Sequence, residues 1–384
     1  MIKFLTQITR IIFWEPCTSP HKSDFFSAVA KLSPNIEVIC CADSELQLDR
    51  KAQGWSIKPT EGVHTLIALN ATEIDALVRE QVASTLHIFS GIRWVPSIVA
   101  GLKSVRKHGA KFSIMSEPRV AEGWKGKLRF VQSWLTESWL RKHTEFVLAQ
   151  GRNGPPWFTS AGYSVERVFP FAYFIDPPKQ KNELDSVIEK DKLTIQIGYV
   201  GRLVKSKGVF DVVTAISKLG RDAHLSIVGS GPEGQTLKSY CANLQIDAKF
   251  LGVLPISEVG QFMQDIDVLV LASTTKDGWG VVVSEALMSG TAVIATTCVG
   301  ASIMLDNQLF GLCVPAEAPG DIAHAINKLH AMGAFTKANR MQRATMARQC
   351  LSAESGAQHL LDIIQWRFAD AKRPAPFYKI GDVI

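Results

Sequence analysis

Three strand-to-helix turns in the second half of the chain carry residue types suited to an anionic, polyhydroxylated ligand. The first is Gly201-Arg202-Leu203-Val204-Lys205-Ser206-Lys207-Gly208. Gly201 lets backbone approach a phosphate, Arg202 offers a two-pronged fork and Lys207 a point charge. The helix that follows presents unpaired N–H groups and the positive end of its dipole. The spacing is not that of a Walker loop, which needs Gly-Lys-Ser/Thr. The second turn is Gly229-Ser230-Gly231-Pro232, where glycines ease a sharp reversal. The third, Asp277-Gly278-Trp279-Gly280-Val281-Val282-Val283-Ser284-Glu285, sets a carboxylate on each side of a glycine-rich turn that opens a helix. Ionised carboxylates only accept hydrogen bonds, so Asp277 and Glu285 suit a vicinal diol such as a ribose. The backbone of Gly278 to Val281 would face a diphosphate or sugar hydroxyls. A glutamate in an otherwise apolar helix is costly alone, so Glu285 either pairs with a cation or serves a ligand.

These turns need rigid elements to hold them. Apolar, β-rich runs predict strands at Leu193–Val200, His224–Val228, Lys249–Leu251, Val268–Leu271 and Ala292–Ala295. Helical spacing falls at Val209–Leu219, Gln235–Asn243, Glu258–Gln264, Val281–Met288 and Ile322–Met332. Alternating strands and helices mean βαβ units and a parallel sheet covered on both faces. The first half repeats the theme less sharply. Strands are expected at Ile8–Phe13, Ile36–Cys41, His87–Phe89, Lys111–Met115 and Phe146–Ala149, with helices at Ile98–His108 and Lys125–Arg141. The expected organisation is a domain over residues 1–176, a Pro- and charge-rich linker over 177–192, and a second domain over 193–351. A last helix, Ser352–Phe368, packs back on the first domain. Ligands of such sheets sit at the carboxyl ends of the strands.

Of the 384 residues, 46% are hydrophobic and 20% charged, which excludes a disordered or collagenous chain. No apolar run reaches the ~18 residues that span a bilayer, the longest candidate being broken by Glu285. No signal peptide is read at the N-terminus. Seven cysteines without a CxxC pair fit a reducing cytoplasm and suggest no zinc site. The net charge of +6 lies wholly in residues 1–180, with 22 basic and 16 acidic residues. Residues 101–152 alone carry 11 basic against 4 acidic, and Trp94, Trp124, Trp134, Trp139 and Trp157 fall in or beside them. Such a surface suits anionic headgroups or phosphates, and Lys125, Lys127, Arg129, Trp134, Trp139 and Lys142 are its candidates. No nucleic-acid-binding motif accompanies it.

Taken in order, Gly201-Arg202-Leu203 with Lys207-Gly208, Val228-Gly-Ser-Gly-Pro232, Phe250-Leu251-Gly252, Asp267-Val-Leu-Val270, and Asp277 with Glu285 and Gly290-(x)2-Val293-Ile-Ala295 resemble the retaining glycosyltransferases of family 4, strongly over residues 193–335. The resemblance implies the GT-B fold: α/β, two Rossmann-like doubly wound parallel-sheet domains facing across a cleft. The first would take the acceptor and the second a nucleotide-diphosphate sugar. It assigns Arg202 and Lys207 to the phosphates, Glu285 to the ribose and Asp277 to the donor sugar, with Gly201, Gly229, Gly231, Gly278, Trp279, Gly280 and Val281 around the donor. It implies no cofactor and no metal.

Several positions depart from the family pattern. Asp277 stands where the family usually has Glu, Ala272-Ser273 where it has Pro-Ser, and Glu15-Pro16 where it has a Gly-Gly loop. Ser116-Glu117-Pro118-Arg119 occupies the place of the family's first-domain His. Glu117 is an acceptor-side candidate, or it pairs with Arg119. The stretches around Glu117 and Phe171–Asp176 resemble bacterial polysaccharide-assembly members. The expected acceptor is therefore a glycan or polyprenyl-diphosphate-linked sugar, used in lipopolysaccharide, capsule or exopolysaccharide synthesis by a cytoplasmic protein peripheral at the inner membrane face. A nucleotide-sugar epimerase of the same fold and a catalytically weak sugar-nucleotide binder remain as alternatives. An NAD(P) oxidoreductase is disfavoured, because no GxGxxG precedes an acidic residue about 20 positions on.

Overall fold

The computed structural model describes residues 7–46, 60–119, 123–178, 194–220 and 222–379. Most of the expected linker, 179–192, lies outside them, as does the side chain of Lys125. The chain forms two compact units, one from residues up to Asp176 with Ala353 onwards, the other from Pro177–Ser352.

Unit 1 holds a seven-stranded sheet of β1 (Arg10–Glu15), β2 (Glu37–Ala42), β3 (Val63–Ile67), β4 (Thr85–Ser90), β5 (Lys111–Ser116), β6 (Thr144–Gln150) and β7 (Val168–Phe171). Its spatial order is β3-β2-β1-β4-β5-β6-β7, with every pair parallel. Central strands buried on both faces, such as Ile11 to Trp14, explain the unbroken apolar runs. The last helix, Ala353–Phe368, packs against the first, Pro20–Leu32. Ala353 donates its N–H to the Ile175 carbonyl at 3.1 Å. Gly356 lies so close to the Phe174 ring that no Cβ would fit, which is why a glycine stands inside this helix.

Unit 2 holds β8 (Ile195–Val200), β9 (Ala223–Val228), β10 (Ala248–Gly252), β11 (Val268–Leu271), β12 (Ala292–Thr296) and β13 (Gly311–Val314), in the order β10-β9-β8-β11-β12-β13 and again all parallel. Each sheet therefore reverses direction once, between β1 and β4 and between β8 and β11. This is the doubly wound pattern, and the two units have the Rossmann-like architecture of the GT-B fold. β8 and β11 pair only at Ile197↔Val268 and Gly198↔Leu269, so their last residues no longer pair with each other at the carboxyl ends, where such sheets take ligands.

Two expectations need correction. The helix expected over Lys125–Arg141 is two helices, Gly123–Thr136 and Ser138–His143. The break falls at Glu137, a buried residue whose carboxylate takes Arg93 and Arg119, both at 2.7 Å. The first strand runs two residues later than expected, so it ends on Glu15. No disulfide joins any of the seven cysteines.

Candidate functional site

The site forms where β8 and β11 separate. After β8 the chain passes through Gly201 and Arg202 into a single 3-10 turn, Lys205–Lys207, and then into the helix Val209–Ile216. Gly208 joins them with φ 64°, against the Ala272 carbonyl, where any side chain would collide. Only glycine combines that left-handed backbone with that approach. Arg202 is exposed, while its carbonyl accepts a hydrogen bond from the buried Tyr199 hydroxyl at 3.0 Å.

The loop after β11 is fixed from both sides. The Thr274 N–H donates to the Ser206 carbonyl at 2.9 Å, and the Asp277 N–H to the Cys298 carbonyl at 2.9 Å. The Gly300 N–H returns to the Asp277 carbonyl at 3.0 Å. This clamp aims the Asp277 carboxylate at Lys207. Lys207 Nζ lies 2.5 Å from Asp277 Oδ2, which also accepts from Ser273 Oγ at 3.0 Å. Both side chains of the pair keep about a fifth of their exposure, so water and a ligand reach them.

Glu285 lies in the second turn of the helix Val281–Met288. Burial pushes its carboxyl up to about 7, because the charged form loses hydration. It has no ion-pair partner among the described residues, although part of its surface remains open to solvent. The arrangement can hold a dianionic group on Arg202, Lys207 and the helix N-termini, and hydroxyls on Asp277 and Glu285.

Three expected donor residues serve other purposes. Trp279 is 1% exposed and its indole N–H donates to Ser284 Oγ at 2.9 Å, so its ring is core, not ligand surface. The Gly229 N–H is taken by the Gly252 carbonyl at 2.7 Å. Gly229 and Gly231 let their turn press against the backbone of Gly201 and Leu203, which they support from behind. Gly201, Gly278, Gly280 and Val281 are half-buried, the three glycines on the two loops and Val281 at the start of the helix that follows.

In unit 1, Glu117 stands just beyond β5, and its Oε1 accepts from Tyr173 Oη at 2.9 Å. Arg119 goes instead to Glu137 and Ser133, which overturns the Glu117–Arg119 pairing. Sequence reasoning missed a cluster at the ends of β1 and β4. Lys22 Nζ there donates to Glu15 Oε1 and Oε2 at 2.8 and 2.7 Å and to Ser90 Oγ at 2.6 Å. The only signal was the polar Glu15 closing an apolar strand. On the basic stretch, Lys127, Arg129, Trp134 and Lys142 are exposed. Trp139 is not part of that surface: its ring stacks on Phe112 at 5.2 Å and on His143 at 5.1 Å.

Residues 180–348 match the family model described as "Glycosyl transferases group 1". The D-inositol 3-phosphate glycosyltransferase of Corynebacterium kroppenstedtii is 28% identical over 204 residues, covering 48% of this chain and 42% of that protein. The putative teichuronic acid biosynthesis glycosyltransferase TuaC of Bacillus subtilis is 33% identical over 130 residues, 34% of this chain and 31% of its own. The chain spans between 34% and 42% of the length of the first three curated relatives it matches. Among solved structures, Anabaena HepE in complex with UDP superposes with a TM-score of 0.71 at 14% identity, covering 93% of this chain and all of that one. The lipopolysaccharide outer core galactosyltransferase WaaB gives 0.67 at 16% identity, over 93% and 99%. Most of unit 2 is therefore similar to group 1 glycosyl transferases, and the chain has the GT-B fold that its motifs pointed to.

Proposed function

We propose that this protein is a retaining glycosyltransferase that moves a sugar from a nucleotide-diphosphate donor to a glycan or polyprenyl-diphosphate-linked acceptor in cell-surface polysaccharide synthesis. The observation that carries it is the Lys207–Asp277 pair, which joins the loops after β8 and β11, with exposed Arg202 on the first loop and Glu285, without an ion-pair partner among the described residues, on the helix after the second. The UDP and UDP-glucose complexes of HepE support a nucleotide sugar as ligand.

In the reaction, leaving group and acceptor share one face of the sugar, and negative charge develops on the departing diphosphate. Lys207 is already charged and aimed by Asp277, so an entering diphosphate draws it off by offering more charge. Arg202 adds a fork that fits two phosphate oxygens. Fixed cations of this kind stabilise a leaving group without reorganising at the moment of reaction, and the scheme calls for no metal. Asp277, released from Lys207, then accepts from the donor sugar's hydroxyls, and Glu285 holds the ribose. Unit 1 takes the acceptor, with Glu117 on that side. The cationic, aromatic 101–152 stretch supports work at the inner face of the cytoplasmic membrane.

A second reading has one observation in its favour. Asp277 is one methylene shorter than the family's usual Glu and is engaged by Lys207, which fits a sugar-nucleotide binder with little turnover. A thermal-shift screen across nucleoside diphosphates, followed by transfer assays with the sugar of the best base, tests both. A binder that turns over supports the transferase, binding without turnover the second reading. No stabilisation by any nucleotide sinks both.

A further inference from the structure

The helix Gly123–Thr136 turns little apolar surface inward. Gly126 and Ser133 are buried, Phe130 is half-buried against the core, and the buried Glu137 follows at its end. Most of its large apolar side chains face the other way. Trp124, Leu128, Val131 and Leu135 recur at i, i+4, i+7 and i+11, which confines them to roughly 60° of the helix circumference. They are 68%, 59%, 52% and 66% exposed. A surface helix ordinarily turns such a stripe to the core, and a contiguous apolar patch left in water marks an interaction site.

Trp94, on the loop held to the end of this helix, is 81% exposed. Its φ of 64° is a left-handed conformation that a bulky side chain rarely adopts. The preceding residue ties this loop down: Arg93 donates to Thr136 Oγ1 at 2.8 Å and Glu137 Oε1 at 2.7 Å, holding the Trp94 loop to the helix end. Charge identifies the occupant. Lys127 and Arg129 are exposed on the helix and Lys142 on the next one, while Glu137, buried under two arginines, is the single acid in 123–143. Apolar stripe, interfacial tryptophans and cations without exposed acids are what an anionic bilayer surface accommodates.

We infer that the Gly123–Thr136 helix and the Trp94 loop form one anchor that seats unit 1 in the interface of an anionic membrane. The inference deepens the peripheral location proposed above, and it excludes Trp139. The purified full-length chain, mixed with vesicles of equal parts phosphatidylglycerol and phosphatidylcholine, is expected to co-sediment with them, and not with phosphatidylcholine alone. Trp94→Ala and Leu128→Ser should each weaken partitioning about ten-fold, since each removes one apolar side chain from the interface. Lys127→Glu with Arg129→Glu should do so in a manner erased by high salt. All four positions are exposed, so unchanged melting temperatures certify the fold. If the parent binds and these variants bind equally, the anchor lies elsewhere and only the peripheral location survives. If the parent never binds, both fall. A concentration-dependent dimer lost in Leu128→Ser would replace the membrane by a second copy. Nucleotide-induced thermal shifts should stay the same in every variant, so the transferase reading is judged separately.

Discussion

The two sheets share one strand order, yet their switch points are furnished in opposite ways. Between β1 and β4 the polar groups satisfy one another: Lys22 saturates both oxygens of Glu15, and Ser90 Oγ also donates to Glu15 Oε1 at 2.6 Å. Glu15 is 3% exposed and takes part in no open surface. Between β8 and β11 the groups are left for something else. Arg202 is exposed, Glu285 is ionised only at a cost, and Lys207 has one carboxylate partner at a solvent-reachable position. A common topology thus supplies the same switch point twice; side chains close it in unit 1, and in unit 2, on the proposed function, they leave it for a ligand.

That contrast can be broken by mutation. The largest effect is expected where polar groups are self-satisfied. Glu15→Ala strands Lys22 in a nearly buried site and should cost about 3 kcal/mol of unfolding free energy, read by denaturant titration. A loss below ~0.5 kcal/mol would mean that the cluster is not structural. Next, Lys207→Ala should lower transfer turnover roughly 100-fold with the fold kept, because Asp277 retains the Ser273 hydroxyl as a donor and about a fifth of its side chain still meets water. Near-full turnover would remove Lys207 from the chemistry. Third, Glu285→Gln should do the reverse and stabilise. The native carboxyl titrates at about 7 against an ordinary value near 4.5, so the folded state binds more protons in that window and its stability falls as pH rises through it. Above pH 7 the amide should gain roughly 2–3 kcal/mol over the parent, and below about pH 4.5 nothing. A gain independent of pH would show that the carboxylate is not the source. The same variant should bind nucleotides more weakly, sharpening the view that Glu285 is kept for a ligand at the expense of the fold.

The second half was readable because its elements are apolar and regular. Val268–Leu271 and Val281–Met288 match the strand and helix drawn from pattern alone. What escaped had physical reasons. β3 lies at a sheet edge with mostly exposed side chains, so it lacks the buried run of a central strand. β7 contains Pro170, tolerated because that strand too is an edge. The helix Lys337–Leu351 looks polar, yet Arg340 and Arg343 are buried in it. Arg343 donates to the carbonyls of Leu309, Gly290 and Ala334, replacing apolar contacts by hydrogen bonds. At the site, motif order pointed to Arg202, Lys207, Asp277 and Glu285. It did not separate ligand-facing residues from supporting ones, since Trp279 and Gly229 differ from their neighbours only in packing.

The docking of Ala353–Phe368 on unit 1 has a bearing on how the chain is made. Phe171 meets Phe25 at 5.8 Å and His359 at 6.1 Å, and Phe169 meets Trp366 at 5.1 Å. Half of that aromatic seam leaves the ribosome after all of residues 177–352. During synthesis, unit 2 can therefore finish folding while its older neighbour still waits, with phenylalanines bare, for the last segment to arrive. Nascent chains stalled short of residue 353 should recruit chaperones at those rings, and full-length release should dismiss them.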